Sequence, residues 1–564
     1  MASCRLLAVV GALGLVTAAF GCSSGGGSPA GSGGKSGTGG TSGTGGTTTG
    51  TGGRSASGSG GSPNAGAGGM TGVAGSGGGS GGTGGSSGSS GQTGGAGSGG
   101  RTGSGTGGGS GTAGITGGAG TPSSGGISSG GGTICTPPQG AGGGDTTCSP
   151  PTPPSAKDSV TLDMAVAQGA PTYLASGFIY GIAEDGTQPP TALLADIKVK
   201  GLRAGRGVAE GCGAQAWATH WNVIKAYYSR AKAVGATYLL LVSDDYGYFC
   251  TWPGDGGDWT GLTTFMTQLI SNVQAAGMTG PDVRWELWNE PELSIFWKGT
   301  QAQWMETWKH AYQQVRAAIP GAIIEGPSFA TGPGGSWMNT FLDYAKTNDV
   351  MPDHISWHEE GGGADPVADL ATINRQLTSR GITGVKGFDA NEYGTTGEQN
   401  PGNSAWFLAR FDRAGIQGLR GNWADAEFFS NMGDLVAANW QPNSQYWVYK
   451  RYADQTGLRT SVTAGTQVDA VAYQDACAAK SIIVVGNKGG VTGAVNVVIK
   501  NIPAWLQSGG STKVLLEKMP TGKAALTAPV AVSNAAAAAT CNAMTVTIDW
   551  TTATDGYVVT LSPP

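Results

Sequence analysis

The chain has 564 residues, enough for more than one domain, and a formal net charge of −5. That near-neutral balance, with no run of like charges, excludes the strongly basic footprint that nucleic-acid binding requires. Of the 105 glycines, most lie between residues 25 and 143, so whole-chain averages describe neither part of the sequence.

Residues 1–22 read as an export signal. Arg5 supplies a short positive start, residues 6–20 are apolar, and Gly21-Cys22 follows. The apolar run is too short for a membrane span and fits a signal core. Cys22 after Ala19 and Gly21 resembles a bacterial lipoprotein cleavage box, with Phe20 a departure from it. The expectation is a secreted or cell-envelope protein, lipid-anchored to the membrane at Cys22; plain secretion is the alternative. Residues 23–155, rich in Gly, Ser and Thr, have too few apolar side chains to offset the entropy of ordering. They predict a disordered linker. Setting aside Cys4 and Cys22, six cysteines remain. An even remainder in an exported chain favours disulfides. Nearness in sequence suggests Cys135–Cys148, Cys212–Cys250 and Cys477–Cys541, among many possible connectivities. No C-x-x-C occurs and the four histidines show no ligand spacing with cysteine, which argues against zinc.

From about Ser159 short apolar runs alternate with helical patterns. The runs are 177–182, 197–203, 237–243, 283–289, 322–325, 354–358, 385–392 and 416–423. Between them, Met305, Trp308, Tyr312, Val315 and Ile319 form one stripe at helical spacing, and Trp221, Ile224, Tyr228 and Ala231 form another. Strand–helix alternation predicts a parallel sheet covered by helices. Eight repeats over residues 156–457 predict an α/β fold of the (β/α)8 TIM-barrel type. Residues 458–564 are β-rich with period-two alternation, as in 544–550, and predict an antiparallel β-sandwich. Residues 159–165 also alternate and have no place among the eight barrel strands, so they are expected to pair with the C-terminal sheet.

The stretch Arg284-Trp285-Glu286-Leu287-Trp288-Asn289-Glu290-Pro291 reads as a strand that ends in a carboxylate beside an amide. Proline cannot donate to a sheet ladder, so the strand is expected to run up to it. In strand count Glu290 ends the fourth barrel strand. Glu392, 102 residues further on, ends the seventh, in Phe388-Asp389-Ala390-Asn391-Glu392-Tyr393-Gly394. Barrel active sites form at the C-terminal strand ends, and two opposed carboxylates are what glycoside hydrolysis needs.

These two motifs resemble glycoside hydrolase clan A. Within it, residues 286–298 with Phe296-Trp297-Lys298 are most similar to family 39, which contains β-xylosidases and α-L-iduronidases. The resemblance implies a retaining double displacement, with Glu392 as nucleophile and Glu290 as acid/base. It implies that Asn289 binds a sugar hydroxyl and that no metal or organic cofactor takes part. Arg203, at the tip of the second strand, is placed to hold Glu392 ionised, with Arg206 as competitor. His358, at the tip of the sixth, could contact sugar or the nucleophile, or be a buried residue with no such role. Trp297, Trp423 and Tyr393 complete the expected substrate-binding set. Trp217, Trp252, Trp259 and Trp337 are further candidates, some for sugar stacking and some for the core. The clan often has an aromatic residue after the sixth-strand His; here Glu359-Glu360 follows, expected as solvated loop charges. The expected partner is a carbohydrate substrate. An exo-acting xylosidase-like or arabinoside-cleaving enzyme leads. An endo-acting glycanase on an exopolysaccharide, or a non-catalytic carbohydrate-binding surface lipoprotein, is the alternative.

Overall fold

A computed structural model describes residues 148–203, 214–243, 251–361, 363–421 and 431–564, the side chains of 214–217 and 219 excepted. The expectations for the signal, most of the linker, Cys22, Cys135, Cys212, Cys250, Arg206, Trp217 and Trp423 lie outside this description.

The first strand, β1 (Asp158–Ala167), does not enter the barrel. Eight parallel strands then close on themselves. They are β2 (Gly177–Ile179), β3 (Gly201–Arg203), β4 (Thr237–Leu241), β5 (Val283–Glu286), β6 (Ile323–Phe329), β7 (His354–Glu359), β8 (Gly387–Tyr393) and β9 (Gln417–Arg420). Closure is made by Phe178 of β2 opposite Arg420 of β9. Helices α1 (Thr191–Asp196), α2 (Ala214–Val234), α3 (Thr260–Ala275), α4 (Gln301–Ala318), α5 (Ser336–Asn348), α6 (Pro366–Arg380) and α7 (Pro401–Ala414) lie between the strands in sequence. On α4 the expected stripe is the inward face. Met305, Trp308 and Val315 are buried, and Thr300 caps the start by accepting from Gln303 N.

After β9 come a small hairpin, β10 (Val436–Ala437) with β11 (Gln441–Pro442), and helix α8 (Ser444–Ala453). The remaining strands are β12 (Leu458–Thr463), β13 (Val468–Asp475), β14 (Lys480–Asn487), β15 (Gly493–Lys500), β16 (Ser511–Met519), β17 (Val530–Ala538), β18 (Met544–Trp550) and β19 (Gly556–Ser562). With β1 they form one nine-stranded sheet in the order β17-β16-β19-β14-β13-β12-β1-β15-β18. Every neighbour is antiparallel except β1 with β15. The alternation of β1 is thereby used: Val160, Leu162 and Met164 face a core shared with Val468, Ile483, Val497, Leu516, Trp550 and Val559.

Three local expectations are corrected. Cys148 is bonded to Cys541, which replaces both Cys135–Cys148 and Cys477–Cys541; Cys477 is disulfide-bonded as well, to a different partner. Sequence distance was a poor guide because β1 runs beside β15, and β15 beside β18, whose preceding turn carries Cys541. The chain ahead of β1 crosses this group of strands, with Asn496 Nδ2 donating to Pro154 O at 2.6 Å. Second, β17 was not foreseen. Its sequence, VAVSNAAAA, is exposed along its whole length and has no apolar alternation to read. Third, the ladder of β5 ends at Glu286 rather than beside Pro291. The chain then bends, and Glu290 N donates to Ser328 O at 3.0 Å.

Helix α7 is buried on nearly all sides because it is wedged between the barrel and the second sheet. Glycines allow the approach. A Cβ on Gly486 would stand 2.0 Å from Trp406 N, and one on Gly402 would stand 2.9 Å from Asp555 O. Both obstacles are backbone and cannot rotate away. Gly486→Ala is therefore expected to lower unfolding stability by about 1–3 kcal/mol, the usual cost of overpacking, measured by denaturant titration. An unchanged midpoint would contradict this account of the seam.

Candidate active site

The barrel interior is polar where such interiors are usually filled by Val, Ile and Leu. Alternation along each strand sends one set of side chains inward. At the N-terminal end these are Arg284, Glu325, His354 and Asp389. Arg284 Nη1 donates to Asp389 Oδ1 at 2.6 Å, and His354 Nδ1 lies 2.7 Å from Asp389 Oδ2. Burial would raise the Asp389 carboxyl, but Arg284 and His354 outweigh it and hold it low. One layer up, Asn391 Nδ2 donates to Glu286 Oε1 at 2.7 Å and to Ser328 Oγ at 2.8 Å.

At the C-terminal end stands Arg203, fully buried. Its Nε and Nη2 donate to the two oxygens of Glu286, each at 2.6 Å. Nη2 also donates to Asn289 Oδ1 at 2.6 Å, and Nη1 donates to Glu392 Oε1. Strands β3, β5 and β8 are thus joined through one guanidinium. The fork geometry of arginine suits this, since it binds one carboxylate with two N–H groups and keeps others for a second.

Glu290 and Glu392 meet across the same space. His358 Nδ1 lies 2.8 Å from Glu290 Oε1, and His358 Nε2 lies 3.7 Å from Glu392 Oε1. One ligand atom from each of the three falls within 4.8 Å of the others. Glu290 has a left-handed backbone, φ 42°, and its acceptor Ser328 has φ 60°. Such strain in non-glycine residues persists only where the surroundings impose it, and it collects at functional sites.

The carboxyls differ in environment. Burial pushes Glu290 up to about 7, against the opposing pull of Arg203. Burial also pushes Glu392 up, and His358 and Arg203 oppose it. Burial holds the His358 imidazole down at about 4 despite the attraction of Glu392. Burial thus favours the neutral imidazole, and Arg203 is the fixed positive charge bonded to Glu392, whose carboxyl still stays raised on balance. Glu290, His358 and Glu392 are also a donor set able to hold a metal ion, but a cation there would face the Arg203 guanidinium already bonded to Glu392.

Some expected site residues lie elsewhere. Tyr393 faces outward: its ring packs on Phe407 and Phe411 of α7, and its hydroxyl bonds Tyr449. A bulge in β8 between Ala390 and Tyr393 turns Glu392 inward and Tyr393 away. Trp297 is buried between Trp252 and Trp288, with Nε1 donating to Thr300 O at 3.0 Å, so it supports the Glu290 loop from behind. Of the other tryptophans, Trp259 stacks on His310 and Trp337 packs among Trp304 and Phe329. Glu359 is fully buried rather than solvated, and it accepts from Trp357 Nε1 at 2.8 Å. Alternation explains it, because the residue after inward-facing His358 must face the helices.

Two residues were not foreseen. Glu286 is the principal partner of Arg203; its inward alternation with Arg284 was a usable signal. Glu292 follows the Glu290-Pro291 pair, and its Oε1 accepts from Thr331 N at 2.9 Å. Burial pushes its carboxyl to about 7 as well, against the Thr331 bonds. Nothing in the sequence around it signals burial.

The buried network yields an expectation for Arg203→Met. It leaves Glu286 and Glu392 without their cation, and breaking a buried pair costs about 3–5 kcal/mol. Denaturant unfolding measures this, and a loss below about 1 kcal/mol, the scale of an exposed pair, would show the network to be dispensable.

Comparison with known proteins agrees with the geometry. The sequence model of Glycosyl hydrolases family 39 matches residues 273–376, which include Glu290 and His358. A 3-O-beta-L-arabinopyranosyl-alpha-L-arabinofuranosidase of Bifidobacterium pseudocatenulatum is 23% identical over 351 residues, covering 54% of this chain and 35% of that protein. A 3-O-alpha-D-galactosyl-alpha-L-arabinofuranosidase of Bifidobacterium longum subsp. longum is 23% identical over 324 residues, covering 51% of this chain and 27% of its own length. The chain thus spans about a third of the length of these curated relatives. Among solved structures, N2152 from Neocallimastix frontalis superposes with a TM-score of 0.61 at 25% identity, over 72% of this chain and all of that one. Barrel, paired carboxylates and these likenesses together make the chain similar to the glycoside hydrolases, most of all to family 39.

Proposed function

We propose that the chain is a retaining glycosidase that cleaves α-L-arabinofuranosides from plant or microbial polysaccharide, or from oligosaccharides released from it. The observation that carries the mechanism is the pairing of Glu290, whose carboxyl burial raises to about 7, with Arg203-bound Glu392 inside one 4.8 Å cluster. Retaining enzymes hold their carboxyls about 5–5.5 Å apart, while inverting ones leave about 6.5–9.5 Å for a water. The close cluster supports retention.

In the first step the Glu392 carboxylate attacks the anomeric carbon. The bond to the leaving oxygen breaks as Glu290 gives that oxygen its proton. In the second, Glu290, now a carboxylate, takes a proton from water, the water oxygen attacks the anomeric carbon, and Glu392 is released. Neutral His358 serves the resting state: protonated Glu290 donates to Nδ1, which places the Nε2–H toward Glu392. Asn289 gives its Oδ1 to Arg203 and keeps its amide donors for a sugar hydroxyl. The arabinofuranoside specificity rests on the two curated relatives, both arabinofuranosidases by name. Export with a lipid anchor at Cys22 rests on the signal pattern. The Cys148–Cys541 bond supports an oxidising compartment, although no helix among the described residues is long and apolar enough to cross a membrane.

The tests follow the chemistry. Proton NMR of a hydrolysed 4-nitrophenyl α-L-arabinofuranoside should show the α-product first, and initial β-product would overturn retention. Glu392→Gly with azide should yield a glycosyl azide of inverted configuration. A panel that includes the β-D-xyloside decides the sugar; preference for xylose would move the assignment to that class.

The pH profile gives a separate expectation. The general acid must be protonated, so kcat/KM should fall as pH rises through about 7, the value to which burial raises Glu290. It should fall again at acid pH as Glu392 gains a proton. Glu290→Gln should remove the alkaline limb on a substrate whose leaving group needs no proton. Glu292, also near 7, is the competitor: if Glu292→Gln removes that limb instead, the acid assignment is wrong.

A further inference from the structure

The second sheet sends one lysine to the site end of the barrel. Lys488 lies in the turn between β14 and β15, and its side chain is 13% exposed. Its Nζ donates to Ala364 O at 2.6 Å and to Gly361 O at 3.4 Å, both in the connection from β7 to α6. It also lies 3.4 Å from Glu398 Oε1, in the connection from β8 to α7. The rings of Trp406 and Phe407 flank it at 4.7 and 4.6 Å. Glu398 in turn accepts from Thr395 N at 3.0 Å and from Gly361 N at 3.3 Å. Gly361 therefore gives its carbonyl to Lys488 and its N–H to the partner of Lys488. These two connections begin just after His358 and Glu392.

Burying a lysine is costly in solvation and rotamer freedom, so its place calls for a reason. Stability alone is already served nearby. Arg413 of α7 makes a bidentate pair with Asp469 of β13 and itself touches neither connection, while Arg410, on the same Asp469, stands 3.8 Å from Asp365. Lys488 differs in what it holds, which is backbone carbonyl and a capping carboxylate within a few residues of the reacting groups. Nucleophile placement is sensitive at this scale, since a misplacement of about 1 Å can cost roughly 100-fold in rate.

We infer that Lys488 is a positioning residue of the active site: it locks together the connections after β7 and β8 and so sets His358 and Glu392 against Glu290. The second sheet is then part of the catalytic machinery rather than an attached module. This rests on the glycosidase reading above.

The test compares Lys488→Met with Arg413→Met in the full chain. Hydrogen exchange followed by mass spectrometry should show faster exchange at residues 359–365 and 393–399 in Lys488→Met only. In the same variant kcat should fall at least about tenfold with KM changed less than about twofold. Arg413→Met should lower the unfolding temperature while leaving both readouts as in the parent. Unchanged exchange in the two connections overturns the inference, and so does faster exchange with kcat intact. Equal losses of kcat in both variants would make Lys488 a stability contact only and also overturn it. If the parent cleaves no glycoside, the reading of function fails, while the exchange comparison still decides whether Lys488 orders the two connections.

Discussion

The structure depends on one buried cation. Arg203 leaves water completely, a loss tolerated only because its N–H groups find oxygen acceptors from β5, β8 and the segment after β5. A hydrophobic residue of similar size would pack the barrel at less cost in desolvation. It would not fix a carboxylate on β8 relative to an amide and a carboxylate after β5. The polar layers beneath have the same property. Arg284 with Asp389, and Asn391 with Glu286 and Ser328, fix strand against strand by directional bonds. A site built on such strands inherits their geometry, which is what preorganised catalysis needs.

Two glutamates of identical chemistry are separated by surroundings. Glu392 has a guanidinium on one oxygen. Glu290 is buried with the His358 imidazole at 2.8 Å and, among the described residues, no guanidinium bonded to it. Burial raises both carboxyls and the Arg203 guanidinium opposes it at both, but of the two only Glu392 is bonded to that charge. In the proposed reaction the pair begins with one proton, on Glu290, whose backbone φ is 42°. His358 adds no charge of its own. Its two nitrogens face the two carboxyls and so set the direction of the shared proton.

Much of this was legible in sequence because period and position carry physical meaning. The barrel showed in strand–helix alternation, and the place of β1 showed in the alternation of Val160, Leu162 and Met164. Glu290 and Glu392 stood out as carboxylates at strand ends. What could not be read depended on partners far away in the chain. Glu286 reads as any strand residue until Arg203 lies against it. Tyr393 and Glu359 were misread because a bulge and an inward or outward alternation decide their direction, and neither is visible in residue type. Trp297 was expected to face sugar because aromatics near a mouth often do. Here three tryptophans pack on one another and hold the loop instead. The Cys148–Cys541 bond was hidden for a topological reason, the parallel insertion of β1 beside β15.

That insertion has a consequence for the whole molecule. The chain enters the folded part through β1, which lies between β12 and β15 in the second sheet, and Cys148 is bonded to the turn before β18 just ahead of it. Anything that restrains the preceding residues therefore acts first on the sheet. The sheet reaches the barrel by two different kinds of contact. Close-packed glycines and the Arg413–Asp469 pair bind it to α7, away from the reacting groups. Lys488 alone among these contacts touches the connections that follow the His358 and Glu392 strands. A barrel with a polar interior gains rigidity at its strands but not at the loops above them. A second layer that grips those loops from outside supplies what the interior network leaves unfixed.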